Sequence, residues 1–412
     1  MSVATLAVEL PALPYGRQWI DEEDIAAVVE CLRGDWLTQG PRIEQFEKAL
    51  CAKTGARHAI AVSSGTAALH LAALAAGVGP GDTAITSANT FVASANCIAY
   101  CGGTPYFADV DPATGLLDLE TLEQCVEMLT LAGRPPKLIV PVDFAGQPAD
   151  LPAVQAIAAR CGAKVIEDAA HSLGATYRYN GSHHRAGGCD HADLAILSFH
   201  PVKQITTAEG GAVLTNDSAM ATRIRDLRTH GIHREPARLT RPSEGPWYYE
   251  QAELGYHYRL TDLQCALGLS QLGKLDRFVA RRNAIARLYD AAFAEKPLAD
   301  VVEPLHTHAA TAIHAYHLYV IRLKQLPDET VQNVARRRKA LYLALREQRI
   351  FTQVHYIPVP WQPYYQSQTN SPKAFPGAEA YYASCLSLPM YPRMSDMDAC
   401  RVVEALRECL AV

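Results

Sequence analysis

The stretch SFHPVK at residues 198–203 places Lys203 in a short turn that contains Pro201. The preceding run, LAILS at 194–198, is apolar and bounded by polar residues, which predicts a buried strand of a parallel sheet. Lys203 then follows the carboxyl end of that strand, where open α/β sheets bind their ligands. Partial burial lowers the pKa of an amine, so Lys203 is a candidate for Schiff-base formation with an aldehyde. A solvent-exposed loop lysine is the alternative.

A second group of polar residues, SSGT at 63–66, follows a predicted strand and opens a predicted helix. The free N–H groups at such a helix start form a phosphate site, although an ordinary N-cap turn has the same sequence. The chain has neither a GxGxxG nor a GK[ST] motif, which favours one small phosphate over a dinucleotide.

Beyond another apolar strand lie Asp168 and His171. A carboxylate buried there needs a cationic partner, and a protonated pyridine nitrogen would be one. Alternatively, Asp168 caps the next helix. Phe91 follows Asn89 and Thr90 at a helix start and could stack on a ring, although a single phenylalanine is more often a core residue.

A lysine, a phosphate site, a carboxylate for a ring nitrogen and a stacking aromatic are the groups that bind pyridoxal 5'-phosphate (PLP). All of them are predicted at the carboxyl ends of strands. The residues therefore point to a PLP-dependent enzyme.

The elements that position these residues alternate along the chain. Strands are predicted at 58–62, 83–86, 105–108, 137–142, 164–167, 193–198 and 211–215, and helices at 66–76, 91–100, 119–131 and 151–161. This alternation predicts an α/β fold with a mostly parallel seven-stranded sheet between helices. We expect a large domain over residues 1–265, with an N-terminal extension over 1–13, and a smaller C-terminal α/β domain over 266–412.

The sequence also predicts where several helices begin. Acidic residues 21–24 predict a helix with Ile25, Val28, Val29 and Leu32 on one face. Thr261 is the predicted N-cap of a long helix that runs to residue 288. Ser395 and Asp398 predict a capping box before the last helix.

Composition excludes some classes of function. The net charge of −5 over 412 residues provides no basic field for nucleic acid. The first residues do not resemble a signal peptide and no apolar run is long enough to span a membrane, so we expect a cytoplasmic protein with no membrane partner. The eleven cysteines include no CxxC pair. We therefore expect reduced thiols and no metal site.

Over residues 13–410 the sequence resembles the DegT/DnrJ-type sugar aminotransferases, which have the fold type I architecture of PLP-dependent transferases. The resemblance lies in the motifs WLTQGP (36–41), SSGTAAL (63–69), EDAAH (167–171), SFHPVK (198–203), EGG (209–211) and GYHYRLTD (255–262).

This resemblance implies roles for individual residues. Lys203 binds PLP covalently and moves protons, Asp168 holds the ring nitrogen, and His171 stands near the ring hydroxyl where many members have Gln. Ser64, Gly65, Thr66 and Ser198 grip the phosphate, and Phe91 stacks on the ring. His257 stands where many relatives have an Asn that reaches the phosphate from the other subunit, which implies a homodimer with shared active sites.

Within the family, the segments PYGRQ (14–18), VDFAGQP (142–148), EGPWYY (244–249) and VHYIP (354–358) are most similar to the pseudaminic-acid branch. That branch makes UDP-4-amino-4,6-dideoxy-N-acetyl-β-L-altrosamine from the UDP-linked 4-keto sugar, with L-glutamate as the amino donor. Substrate contacts are expected from Leu37, Thr38, Trp247, Tyr248, Tyr249, His355 and Tyr356, several of which are aromatics in loops. Trp361 and Gln362 depart from the branch pattern.

Three other functions remain open at this point. They are an aminotransferase for a different keto-sugar nucleotide, a PLP-dependent sugar dehydratase, and a non-catalytic PLP-binding regulator. A family branch of dehydratases has His in place of the cofactor lysine, so Lys203 argues against the second.

Overall fold

The computed structural model describes residues 11–241, 244–367 and 375–411. The Pro242–Ser243 positions of the aromatic loop and most of the predicted N-terminal extension lie outside the described residues. The strands, numbered along the chain, are β1 (Leu13–Pro14), β2 (His58–Val62), β3 (Thr83–Ser87), β4 (Thr104–Ala108), β5 (Leu138–Val140), β6 (Lys164–Asp168), β7 (Thr176–Tyr179), β8 (Ser182–Arg185), β9 (Leu194–Ser198), β10 (Gly211–Thr215), β11 (Ile232–His233), β12 (Glu250–Gln251), β13 (Val302–Pro304), β14 (Thr311–Ile313), β15 (Tyr319–Leu323), β16 (Ile350–Phe351) and β17 (Cys385–Leu388).

The helices are numbered in the same way. They are α1 (Glu22–Arg33), α2 (Pro41–Thr54), α3 (Gly65–Ala75), α4 (Ala93–Tyr100), α5 (Leu119–Leu131), α6 (Leu151–Cys161), α7 (Ser218–Arg228), α8 (Asp262–Gly273), α9 (Leu275–Phe293), α10 (Leu298–Val301), α11 (Val331–Glu347), α12 (Pro363–Gln366), α13 (Pro376–Ser384) and α14 (Asp396–Leu410).

A seven-stranded sheet in the order β2-β10-β9-β6-β5-β3-β4 forms the centre of the molecule. Strand β10 is antiparallel to both of its neighbours, and the other pairings are parallel. All seven predicted strands belong to this sheet, so the predicted fold class is confirmed. Short apolar strands without a polar side are typical of a sheet with both faces covered.

The two faces of this sheet pack against different helices. Ile60 and Val62 of β2 contact a cluster that includes residues of α3, α4 and α7. Ala59 and Ala61, which alternate with them, face a cluster that contains residues of α2, α8 and α9. The sheet is thus the middle of three layers, and the edge at which its parallel strands end lies between the two helical layers.

The antiparallel sheet β13-β15-β17 forms a second centre of packing. A separate apolar cluster joins it to α9, α11 and α14. Strand β1, close to the N-terminus, pairs in parallel with β16 from this later part of the chain. The predicted domain boundary at 265/266 falls inside α8, and the division into two domains stays a prediction.

Two of the helix starts have the predicted caps, since Thr261 caps α8 in a capping box with Gln264, and Ser395 and Asp398 form a capping box at α14. Helix α1 begins beside the predicted acidic residues, with a capping box formed by Asp21 and Asp24. Each box satisfies N–H groups that lack an acceptor in the first helical turn. The long helix predicted from residue 261 to 288 is instead two helices, because the chain breaks at Lys274 between α8 and α9.

Helix α1 is fixed to α8 through a buried carboxylate. Asp24 is fully buried and accepts hydrogen bonds from the Ser270 hydroxyl at 2.6 Å and the Gln271 amide at 2.7 Å, while the ammonium of Lys274 lies 2.9 Å away. A buried charge needs such partners. Part of the apolar face predicted for α1 is therefore turned outward, since Ile25 and Leu32 are 47% and 54% exposed, whereas Val28 and Val29 are half-buried.

Across the ranges that the structure describes, no helix has both the length and the apolar character needed to cross a membrane.

Candidate active site

A cavity of about 570 Å³ opens at the carboxyl edge of the central sheet. Strands β6 and β9 end at it, and the loops that follow β2, β3 and β9 close its sides. Ten of the residues predicted from the sequence line it, namely Ser64, Gly65, Thr66, Phe91, Asp168, His171, Ser198, Lys203, His355 and Tyr356. The structure thus brings together residues that are up to 292 positions apart by their sequence numbers, from Ser64 to Tyr356.

Lys203 lies in the turn after β9, where its backbone N–H donates to the carbonyl of His200 at 2.9 Å. Burial lowers the pKa of the Lys203 amine to about 8, and the carboxylate of Asp168 opposes part of this shift. A substantial fraction of the amine is therefore neutral near pH 7 to 8. A neutral amine is the form that attacks an aldehyde.

Asp168 ends β6 and is 6% exposed. Its Oδ2 accepts a hydrogen bond of 2.7 Å from the Ser94 hydroxyl, and its Oδ1 accepts one of 3.2 Å from the N–H of Ala170. Burial raises the pKa of Asp168, while these two hydrogen bonds and the charge of Lys203 lower it. A protonated ring nitrogen beside Asp168 would lower the pKa further and keep the carboxylate ionised.

His171 is held in its neutral form. Burial lowers the pKa of its imidazole well below the usual value, and the positive charge of Lys203 adds to the effect. Its Nε2 lies 3.3 Å from the hydroxyl of Tyr356, and its ring centre is 4.2 Å from that of His317. Among the residues that the structure describes, the buried Nδ1 of His171 has no hydrogen-bond partner. Such an atom at a cavity wall fits an oxygen of a bound molecule.

The SSGT turn caps helix α3, as predicted. The side chain of Ser64 accepts a hydrogen bond of 3.1 Å from the N–H of Ala67, which leaves the N–H groups of Gly65 and Thr66 without acceptors inside the helix. A Cβ atom added to Gly65 would lie 2.9 Å from Cβ of Ser198, and one added to Gly211 would lie 2.5 Å from the carbonyl of Ser64. Only glycine permits this close approach, which leaves a narrow cradle at the positive end of the helix. A phosphate group fits such a cradle.

His355 and Tyr356 approach the cavity from the later part of the chain. Nδ1 of His355 lies 2.9 Å from the hydroxyl of Ser387, and burial lowers the pKa of His355 to about 3. Tyr356 lies between Phe91 and His171, and its ring centre is 6.1 Å from that of Phe91 and 6.3 Å from that of His171. Phe91 is 56% exposed, so one face of its ring is available for stacking.

Several cavity residues were not predicted from the sequence. Tyr15, Gln353 and Gln362 line the walls, His200 and Glu209 lie at the rim, and His317 lies behind His171. His200 and Glu209 belong to the quoted motifs and could have been included. His317 is the last residue of the stretch HAYH (314–317), which has no pattern that separates it from a core histidine.

Six predicted residues lie outside this cavity of the single chain, namely Leu37, Thr38, Trp247, Tyr248, Tyr249 and His257. Leu37, Trp247 and Tyr249 are 47%, 73% and 49% exposed. Their predicted contacts with substrate or cofactor stay predictions.

His257 has a clear orientation. Tyr256 and Tyr258 stack on each other with ring centres 5.0 Å apart and both face His70. Because side chains alternate along an extended segment, His257 points the other way, and its side chain is exposed.

A half-buried lysine with a lowered pKa, a carboxylate near it and a phosphate cradle at a helix start define a PLP-dependent enzyme of the aminotransferase fold. The comparison with known sequences agrees. Residues 18–407 match the DegT/DnrJ/EryC1/StrS aminotransferase family, and the chain belongs to that family. The family is one of PLP-dependent sugar aminotransferases, and Lys203 separates this chain from the dehydratase branch, so this chain is an enzyme of the aminotransferase class.

Individual relatives cover nearly the whole chain. The spore coat polysaccharide biosynthesis protein SpsC of Bacillus subtilis is 42% identical over 399 residues, which are 96% of each chain. The solved structure of Helicobacter pylori PseC, an aminotransferase of pseudaminic acid biosynthesis, is 30% identical with a TM-score of 0.85 and covers 97% of this chain and 100% of its own. The PLP form of the sugar aminotransferase Spr1654 from Streptococcus pneumoniae is 27% identical with a TM-score of 0.84, over 97% of this chain and 98% of its own.

Proposed function

We propose that this enzyme transfers the amino group of L-glutamate to C4 of a UDP-linked 4-keto-6-deoxy-N-acetyl-hexosamine. The observation that carries this proposal is the partly neutral Lys203 amine in a cavity that it shares with Asp168 and the Gly65–Ser198 cradle. The likeness to PseC over 97% of the chain supports the pseudaminic-type sugar.

The residues present fit PLP. The N–H groups of Gly65 and Thr66, with the hydroxyl of Ser198, would hold the phosphate, Asp168 the ring nitrogen, and His171 the ring hydroxyl. Phe91 would cover the ring. When bound, PLP supplies the electron sink that makes a proton on the adjacent carbon labile.

The protein's part of the reaction is proton transfer and electrostatics. The Nζ atom of Lys203 takes the proton from the amino-bearing carbon of the donor, and in the second half-reaction it returns a proton to the sugar carbon that receives nitrogen. Asp168 keeps a negative charge beside the ring nitrogen throughout. The hydrogen bonds from Ser94 and Ala170 hold that carboxylate in place.

A second candidate substrate is a different keto-sugar nucleotide that leads to a surface polysaccharide. The 42% identity to SpsC over 96% of the chain favours this alternative. Both candidates use the same half-reaction with the amino donor and differ only in the acceptor.

We also propose that the enzyme works as a homodimer with shared active sites. The exposed apolar residues Ile25, Leu32, Trp36 and Leu37 lie on or next to α1, and a second copy of the chain would cover them. His257, which points outward, would then reach the phosphate cradle of the partner.

Two experiments test the function. Mixing the PLP-loaded enzyme with L-glutamate should change the cofactor absorbance and release 2-oxoglutarate, whereas Lys203→Ala should do neither. A panel of UDP-linked 4-keto sugars then separates the acceptors. Glutamate that leaves the wild-type enzyme unchanged would exclude the amino donor, and amination of only a non-pseudaminic sugar would favour the second candidate.

A further inference from the structure

Two buried acids lie behind the active site, outside the lining of the cavity. Glu167 is 1% exposed and Asp143 is fully buried. Glu167 precedes Asp168 in β6, and because neighbouring residues of a strand point to opposite faces, it lies on the side of the sheet away from the cavity.

Asp143 is joined to both ends of the turn formed by residues 168–172. Its N–H donates to the carbonyl of Asp168 at 3.1 Å, and its Oδ2 accepts a hydrogen bond of 2.5 Å from the Ser172 hydroxyl. Its Oδ1 accepts a third, of 2.8 Å, from the N–H of Ala149. The turn that Asp143 holds in this way presents Asp168 and His171 to the cavity.

Glu167 completes this arrangement. Its two carboxyl oxygens each lie 3.1 Å from the N–H of Gly187, and its carboxyl group lies within hydrogen-bonding range of that of Asp143. Two ionised carboxylates have no proton to share, so one of the pair must be protonated. Burial raises the pKa of Asp143 to about 6, but the hydrogen bonds from Ser172 and Ala149 lower it, which favours its ionised form and leaves the proton on Glu167.

The surroundings favour the same assignment. Burial and then the neighbouring Asp143 raise the pKa of Glu167 well above its usual value, and the carboxylate of Asp190 adds to this. The pair also acts on the buried Tyr177, whose phenol pKa it helps to raise, and Glu167 acts likewise on the Cys189 thiol. Asp168 is a further acid close to Asp143.

We propose that Glu167 is a positioning residue, which donates its proton to Asp143 so that the acid pair holds the 168–172 turn with Asp168 and His171 facing the cavity. This inference rests on the proposed roles of Asp168 and His171. A neutral Glu167 has the same donor and acceptor atoms as glutamine, which provides a direct test.

Two variants with side chains of similar size distinguish the hydrogen bonds of Glu167 from the space that it fills. Glu167→Gln can accept from Gly187 and donate to Asp143, whereas Glu167→Leu fills the space and does neither. We expect kcat within about twofold of the wild type for Glu167→Gln and a loss of about tenfold or more for Glu167→Leu, because misplacement of a positioning turn reduces the rate. If the enzyme needed a negative charge on Glu167 instead, Glu167→Gln would lose activity as Glu167→Leu does.

A second measurement, the pH dependence of unfolding, detects the proton itself. It is made both with and without PLP. Folded wild type keeps a proton on Glu167 that the unfolded chain releases above about pH 4.5, its usual pKa. Stability therefore falls as pH rises, and the unfolding constant of the wild type should increase about tenfold per pH unit relative to Glu167→Gln between pH 5 and 8. The exposed Glu127 on α5 provides the control, since Glu127→Gln should run parallel to the wild type.

Two results would contradict the proposed role of Glu167. A Glu167→Gln enzyme as impaired as Glu167→Leu, or unfolding curves parallel to the wild type at all pH values, would overturn it. If Glu167→Leu does not fold, the pH comparison with Glu167→Gln still decides. The unfolding measurement needs no transamination, so it stands even if the proposed substrate or amino donor is wrong.

Discussion

The hydroxyl of Ser94 donates a hydrogen bond of 2.7 Å to Oδ2 of Asp168, across a sequence separation of 74 residues. The Thr90 hydroxyl lies 2.8 Å from the Ser94 oxygen. Because the Ser94 proton is used on Asp168, Thr90 must be the donor in the second bond. The chain of hydroxyls from α4 and its preceding loop thus orients the carboxylate that faces the cofactor ring.

Ser94→Ala should reduce the rate of the glutamate half-reaction. The variant removes a hydrogen bond that lowers the pKa of Asp168, so the carboxylate holds a protonated ring less well. A hydrogen bond to a charged group contributes about 1.5 to 3 kcal/mol, which corresponds to a rate loss of roughly tenfold to a hundredfold. Single-turnover kinetics with glutamate measure it. Thr90→Val, which removes only the outer bond, should have a smaller effect, and an unchanged rate in Ser94→Ala would contradict the role of this bond.

Covalent capture of PLP by the cofactor-free protein should depend on pH through Lys203. The Lys203 pKa is about 8, and only the neutral amine reacts. Below pH 8 the capture rate should therefore rise about tenfold per pH unit, and it should level off above pH 8. Stopped-flow absorbance measures the rate, and borohydride reduction followed by peptide mapping identifies the residue. A rate that keeps rising to pH 10 would show that Lys203 has an ordinary lysine pKa.

The sequence predicted the part of the site that depends on strand ends. Apolar runs marked all seven strands of the central sheet, and parallel strands bring their carboxyl ends to one edge, so Lys203 and Asp168 were expected near each other. The cradle at Gly65 was predicted for the same reason.

Residues that act from helices or from the reverse face were not predicted. Ser94 is one small polar residue in an apolar helix, and nothing in its spacing shows that it reaches Asp168. The β7–β8 hairpin was missed because TYRY and SHHR are largely polar and exposed, without the apolar run that marked the other strands. The spacing placed Ile25 and Leu32 on one face of α1 but did not show which way that face points, and burial of Asp24 against α8 turns these two residues outward.

Trp247→Ala should raise the KM for the sugar nucleotide and leave the glutamate half-reaction unchanged. Trp247 is 73% exposed in the single chain and lies in the aromatic loop from which the sequence predicts contacts with the substrate. Loss of a stacking aromatic removes contact area that only the sugar nucleotide would use. Steady-state kinetics with each substrate varied separately measure this. Met397→Ala, at a residue 83% exposed on α14, is the control, and equal damage to both half-reactions would assign the loop to folding instead.

Two variants that are inactive alone should restore activity together if the sites are shared. In a dimer of Lys203→Ala with His257→Ala, one site has both substitutions and the other has neither, because each site takes Lys203 from one chain and His257 from the other. Random reassortment makes about half of the dimers mixed, so about a quarter of all sites should be intact. The two variants are unfolded and refolded together, mixed dimers are verified by native mass spectrometry, and amination is assayed.

The comparison requires that each variant alone is shown to be inactive, since His257→Ala could simply weaken phosphate binding. The mixture of Lys203→Ala with Asp168→Asn is a matched control, because both of these residues line the cavity of the same chain. In that pair each site keeps one of the two substitutions, so no site is intact. Activity at background in verified Lys203→Ala and His257→Ala mixed dimers would place His257 outside the partner's site, whereas recovery in this pair and not in the control would place it there.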